Sequence, residues 1–248
     1  MFFNPLHPVR PTARIAAAAA ILATLTGCQA IVSSPSLSQV RVVDASPDTP
    51  GIDIYQGADG VAYNLGFGTI TSYVPIPPGT YNISAASAGT RQVLSLAKPT
   101  FAAAGQYTVL IGNTAGSLQQ LTLKDQSQPA PSGQIALRFI NQATRAGAVD
   151  IYLVPAGHLL TAVSPILTNI LFGDNTGYRN VPAGAYTLVM LPTGTVPSST
   201  TVASYTGAQV TYSSTAARTI ILIDQPLVTT PGLQVITAVD YDSPSATS

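Results

Sequence analysis

The chain has 248 residues and a formal net charge of zero, ten Lys and Arg balancing ten acidic residues, all of them Asp. Charged residues make up 8% and hydrophobic ones 46%, against about 25% charged in an average soluble protein. That balance excludes a charge-dense disordered chain and leaves no cationic stripe to track a nucleic-acid backbone. Asp without Glu, together with 20 Gly and 20 Pro, points to turns rather than helices.

At the N-terminus, Arg10 and Arg14 precede an apolar run from Ile15 to Leu25. The run has the length of a signal-peptide core and is too short to span a bilayer. It ends in Leu25-Thr26-Gly27-Cys28, which resembles the lipobox of bacterial lipoproteins. That resemblance implies cleavage before Cys28, acyl chains on its thiol and new amino group, and attachment to a membrane through those chains. Cys28 is the single cysteine, so a disulfide within the chain is impossible, and an exposed free thiol would be a liability in an oxidising compartment. The competing reading is an ordinary free cysteine near a cleavage site, or a buried one in the fold. Gln29 in place of an Asp after the cysteine implies, by the same resemblance, the outer membrane. We read residues 1–27 as a lipoprotein signal peptide and 28–38 as lipidated cysteine and flexible tether.

The remainder says nearly the same thing twice. Gln39-Val40-Arg41-Val42-Val43 and Gly51-Ile52-Asp53-Ile54-Tyr55 return as Gln134-Ile135-Ala136-Leu137-Arg138-Phe139 and Ala148-Val149-Asp150-Ile151-Tyr152. Tyr73 to Tyr81, containing Pro77 and Gly79, returns as Tyr178 to Tyr186, containing Pro182 and Gly184; Tyr107 to Ile111 returns as Arg218 to Ile223. Three matched blocks in one order predict two homologous modules, 39–125 and 134–242, joined by the linker 126–133 and followed by a tail, 243–248.

The repeated segments read as strands. Val40–Val43, Ile52–Tyr55, Tyr81–Ala85, Tyr107–Ile111 and Leu118–Leu123 are short, β-branched or aromatic, and divided by Pro/Gly turns. This predicts an all-β chain of two tandem immunoglobulin-like antiparallel β-sandwiches. Alternation puts Ile52 and Ile54 in the core, with Asp53 and Tyr55 on the opposite face. Ile166–Phe172 is the one candidate helix after the signal peptide and is apolar enough to be another strand. In the Pro-x-Gly-x-Tyr signals, Pro77 and Pro182 preset a turn dihedral, Gly79 and Gly184 admit a positive φ, and Tyr81 and Tyr186 open strands with hydroxyls able to return to the turn backbone. These are structural motifs resembling a tyrosine corner.

The order of residues 40–55, then Gly66-Phe67-Gly68, Tyr73 and Pro77-Pro78-Gly79-Thr80-Tyr81, resembles the bacterial family called domain of unknown function 4397. The resemblance implies extracytoplasmic β-sandwich modules, often paired, with no established activity. It covers 39–125 and, more loosely, 134–240, where Asn141 to Ala146 replaces the Asp44 to Asp48 loop.

Catalytic groups are scarce. His7 leaves with the signal peptide, so His158 is the sole imidazole of the mature chain, and its Pro-Ala-Gly-His context reads as an exposed loop. Zinc chemistry lacks its Cys and His ligands. Asp44, Asp48 and Asp53 could converge as oxygen ligands for calcium, but match no EF-hand spacing, and Asp in such turns caps backbone amides. No metal or cofactor is expected. Tyr55, Tyr63, Tyr73, Tyr205 and Tyr212 either present contact area to a partner or pack under loops. The leading expectation is a noncatalytic binding or structural module with an unassigned glycan or protein ligand and no nucleic-acid partner. The alternatives are an Asp-dependent enzyme on glycans, which requires two Asp facing each other across a cleft, and a scaffold subunit of an envelope complex, which requires an exposed apolar patch.

Overall fold

A computed structural model of the chain describes residues 36–225 and 232–242. The signal peptide, the lipobox, Cys28 and most of the tether lie outside those residues. The described chain is all-β, in two sheet-rich halves. The first contains β1 (Ser38–Asp44), β2 (Ile52–Gln56), β3 (Asp59–Leu65), β4 (Val74–Ile76), β5 (Gly79–Thr80), β6 (Ile83–Ser87), β7 (Val93–Ala97), β8 (Thr100–Phe101), β9 (Gln106–Gly112) and β10 (Gln119–Lys124). The second contains β11 (Gln134–Asn141), β12 (Val149–Pro155), β13 (Leu167–Ile170), β14 (Asn175–Pro182), β15 (Gly184–Pro192), β16 (Tyr205–Tyr212), β17 (Ala217–Asp224) and β18 (Leu233–Tyr241). Ile166–Phe172 thus contributes strand β13, and Tyr81–Ala85 gives way to a strand beginning at Ile83, because Gly79 and Thr80 pair with Phe101 and Thr100 instead.

Each half stacks two four-stranded sheets: β10-β9-β1-β4 on β3-β2-β6-β7, and β14-β11-β17-β18 on β13-β12-β15-β16. The purely antiparallel expectation needs one correction per half. β1 runs parallel to β9, and β11 parallel to β17. The long connection between the members of each pair makes this possible, since parallel neighbours cannot be joined by a tight hairpin.

The alternation of β1 and β11 explains how the halves meet. Val40 and Val42 point into the first core with Ile52, Ile54, Val109 and Ile111; Ile135, Leu137 and Phe139 point into the second with Ile151, Ile220 and Leu222. The opposite faces of these strands are buried too. Val43, Ala45, Leu110 and Leu123 of the first half pack with Ile140, Ile221, Ile223 and Ile236 of the second in one apolar cluster. A strand buried on both faces has no solvent side, so it reads as Val-Arg-Val-Val rather than as strict apolar-polar alternation. The described residues of both halves belong to one compact unit. The segment 126–133 lies along the second half: the Gln126 amide donates to Tyr178 Oη at 3.0 Å, Ala130 is buried, and its amide donates to the Thr215 carbonyl at 2.8 Å.

Candidate functional site

The densest cluster of ionisable groups lies between the halves and has twofold character. Arg41 on β1 donates from Nε to Thr108 Oγ1 at 2.8 Å and from Nη1 to the Val239 carbonyl at 2.7 Å, and its Nη2 pairs with Asp240 Oδ1 of the other half. Arg138 on β11 repeats the pattern, donating to Thr219 Oγ1 at 2.9 Å, to the Lys124 carbonyl at 3.0 Å and to Asp125 Oδ1 at 2.5 Å. Thr108 donates to Asp125 Oδ2 at 2.6 Å, and Thr219 to Asp240 Oδ2 at 2.7 Å. Tyr73 and Tyr178 close the two ends. Their hydroxyls donate to Asp125 and Asp240 at 2.8 and 2.9 Å, and each ring lies 4.7 Å from its own half's guanidinium. Each half therefore supplies the arginine for the other half's aspartate.

The chemistry of this lattice is that of a fastening. Two cations and two anions neutralise one another, and planar guanidinium forks fix the register in which the sheets meet. Burial pushes the Asp240 carboxyl up, Arg41 opposes, and the nearby Asp125 charge adds to the rise. Burial likewise raises Tyr73 and Tyr178, with the Asp125 and Asp240 charges next in effect, so both phenols stay protonated donors. Arg41 and Asp240 reach the wall of a groove between the halves, lined also by Thr71, Tyr73 and Tyr241. Their side chains nevertheless keep no more than 4% exposure. Two aspartates do approach each other here, but sealed between arginines rather than across an open cleft.

The aspartates singled out in sequence are held apart, each by neighbouring backbone or side-chain donors. Asp44 Oδ1 accepts from the Ser46 amide at 3.0 Å; Asp48 Oδ1 accepts from the Ala115 amide at 2.8 Å. Asp53 accepts from the Asn64 and Gly89 amides and from Tyr55 Oη, and those amides hold its carboxyl below the usual range. Asp150 does the same work in the second half. Burial pushes it up, but the amides of Asn169 and Gly194 and the Thr193 hydroxyl outweigh that and hold it low. Both aspartates tie β2 or β12 to the neighbouring strand, β3 or β13, and to the turn at Gly89 or Gly194. Among the described residues, no three His, Cys, Asp or Glu side chains gather as a metal site. His158 is exposed, with Nδ1 3.2 Å from the Ala156 carbonyl oxygen.

At the Pro-x-Gly-x-Tyr turns, Tyr186 Oη donates to the Pro182 carbonyl at 3.0 Å, and Tyr81 Oη lies 3.5 Å from that of Pro78. Gly79 has φ 155°, and a methyl there would lie 3.0 Å from Tyr81 Oη. Gly184 is not among the positive-φ glycines. Tyr212 is buried and Tyr205 packs on the second core, whereas Tyr63 stands exposed beside the buried Tyr55.

Sequence reading missed Arg41, Arg138, Asp125 and Asp240 as a set, because the four are scattered along the chain, Asp125 beside Lys124 and Asp240 close to Asp242. A signal was present. Laid over one another, the two repeats keep Arg, Thr, Asp and Tyr at all four lattice positions, a coincidence that core packing does not require.

No curated protein matches the sequence. Distantly similar solved structures include two of note. One is a family-26 carbohydrate-binding module from Eubacterium rectale Amy13K in complex with maltoheptaose, at 10% identity and a TM-score of 0.23, covering 84% of this chain and 98% of that one. The other is a putative cell adhesion protein from Bacteroides fragilis, at 7% identity and a TM-score of 0.20, covering 86% and 99%. Residues 38–152, which span the first half and run into β12, match the family described as domain of unknown function (DUF4397).

Proposed function

We propose that the chain is a lipid-anchored protein of the cell envelope, held in the outer membrane by acyl chains on Cys28 behind Leu25-Thr26-Gly27. Its body is two immunoglobulin-like copies of one module, and it acts without catalysis, as a binding or structural unit. The observation that carries this reading is the buried lattice. General acid and base groups must reach a substrate and exchange protons near the working pH. Here the two carboxylates that approach each other are spent on guanidinium, threonine and tyrosine partners that join the halves.

Two measurements test it. Metabolic labelling with an alkyne fatty acid should tag the wild-type protein and leave Cys28→Ala untagged and released to the soluble fraction; equal labelling of both overturns the anchor. Purified mature protein should show no turnover on peptidoglycan or envelope polysaccharide. Turnover that Asp125→Asn or Asp240→Asn abolishes in a still-folded protein overturns the noncatalytic reading.

A further inference from the structure

The two ends of the buried lattice are finished differently. At the Tyr178 end the chain itself lies across: the Gln126 amide donates to Tyr178 Oη at 3.0 Å, and Ala130 is buried in a cluster with Ala136, Ala217 and Tyr178. Residues 126–130 are thus a stretch of peptide held over one end by a backbone hydrogen bond and one small apolar side chain.

Register identifies the counterpart. With Arg41 set on Arg138 and Thr108 on Thr219, Tyr73 takes the place of Tyr178, while Gln39 and Gln106 take those of Ala136 and Ala217. Here the groove between the halves opens, a space of about 490 Å³ whose walls include Thr71, Ser72, Tyr73, Gln106, Val239 and Tyr241, within the usual range of ligand pockets. Two hydrogen-bonding groups of its lining residues are incomplete. Tyr73 Oη donates to Asp125 but accepts from no described residue, and Gln106 Oε1 is buried without a partner. The chain's own course accounts for the opening. Tyr241, which stands where Gln126 does, stays paired with Ala217 across a register shift between β17 and β18 instead of crossing to Tyr73. Arg218 then donates to the Tyr241 carbonyl and pairs with the Asp242 carboxylate, which keeps both beside β17.

We propose that this groove binds an extended, uncharged segment of another polypeptide, laid over Tyr73 as residues 126–130 are laid over Tyr178. The inference rests on the noncatalytic reading above and names its ligand class. What Tyr73 lacks, beside Tyr178, is a backbone N–H donor, which a peptide supplies. The Gln106 carboxamide, in place of the Ala217 methyl, adds an acceptor; a buried acceptor left unpaired is costly, so turning it onto a second peptide donor is favourable. Val239, 49% exposed, offers apolar contact. The ligand is uncharged because Arg41, Asp240 and Asp242 already have ionic partners, and the segment 126–133 that serves as the internal template carries no charge either.

Calorimetric titration of the full chain with a synthetic Gln-Ser-Gln-Pro-Ala-Pro peptide, the sequence of residues 126–131 blocked at both ends to remove its charges, tests this. The peptide should bind, and affinity should fall at least about tenfold for the Ser72→Trp and Val239→Lys proteins and for a peptide with Asp in place of its Ala. Both protein changes fall on exposed side chains, and unchanged thermal unfolding would show that the fold survives them. Leu159→Asp, on a residue 74% exposed and outside the groove, should have no effect. No binding up to about 1 mM peptide, or binding indifferent to both groove substitutions, overturns the proposal. Binding that emerges only when residues 243–248 are deleted assigns the groove to the chain's own end and overturns the intermolecular reading. Envelope polysaccharide that binds instead, and is lost in the same two variants, overturns the partner class and leaves the noncatalytic reading standing. Turnover of that polysaccharide strikes the noncatalytic reading, while the peptide titration still decides the groove.

Discussion

Asp44 and Asn141 occupy the same place in the two halves and differ by one functional group. Asn141 Oδ1 accepts from the Ala143 amide at 3.0 Å, and its Nδ2 donates to the Ile170 carbonyl at 3.1 Å. Asp44 Oδ1 makes the first of these bonds, to the Ser46 amide, but its Oδ2 is buried without a partner. Burial pushes the Asp44 carboxyl up to about 7, the Ser46 amide pulling the other way. The folded state therefore holds a proton that the unfolded chain has already released above its ordinary value of 3.8. Stability from this group is full below that value, falls as pH rises through the window from 3.8 to about 7, and is flat above it. Asp53, held low by its amides, slopes the opposite way, losing its contribution as pH falls, so the variant must be compared with wild type at each pH. Asp44→Asn should supply the missing donor and remove the titration. We expect it to stabilise the protein by about 2 to 4 kcal/mol at pH 8 and by far less at pH 4, read from denaturant midpoints. A variant less stable than wild type at pH 8 would mean that the folded protein keeps Asp44 ionised.

At the level of elements, the ends of β9 and β17 solve one packing problem in two ways. Register makes Gly112 the counterpart of Ile223, and Ala45 that of Gln142, the residues following β1 and β11. Ile223 packs in the cluster that contains Ala45, whereas Gly112 lies under Gln142, whose Oε1 would be 2.0 Å from a methyl at that glycine. Gln142 is buried with both amide atoms unpartnered, so it has no solvent to swing into. Gly112→Ile alone should cost about 1 to 3 kcal/mol through overpacking. Gln142→Ala alone should cost little, because it also removes a buried amide without partners. The double variant rebuilds the Ile223 and Ala45 arrangement, and thermal unfolding should show a favourable coupling of at least about 1 kcal/mol; additive losses would refute the equivalence. Strand positions were legible in sequence, since Val40–Val43, Ile52–Tyr55 and Tyr107–Ile111 fall inside β1, β2 and β9. The contact between halves was not. Periodicity tells which residues share a face, but not whether water or another sheet lies beyond it, so Arg41 within Val-Arg-Val-Val reads as a solvent-side residue.

For the whole molecule, the exchange of arginines makes each half's buried aspartate depend on the other half. Taking one partner away leaves a desolvated charge, and that is where the large costs lie. Arg41→Met strands Asp240 against Thr219 and Tyr178 and should lose about 3 to 5 kcal/mol; Arg138→Met should do the same to Asp125. Removing both members of one pair, Arg41→Met with Asp240→Leu, should recover most of that loss, because an apolar pair of similar volume escapes the desolvation penalty. Salt separates this lattice from surface pairing. The Arg41 and Asp240 side chains are sealed, whereas the pair between Arg218 and Asp242 has an aspartate more than half exposed, so 1 M NaCl should weaken only the latter pair. Because the apolar cluster around Val43, Leu110, Ile140 and Ile221 joins the same two sheets, the halves should unfold in one transition when followed by far-ultraviolet circular dichroism. In the Arg41→Met protein the coupling between halves is weakened before either core is touched, so the transition should broaden or split. A single transition as sharp as wild type, merely shifted, would mean that the apolar cluster alone couples the halves and that the lattice sets their register without holding them together.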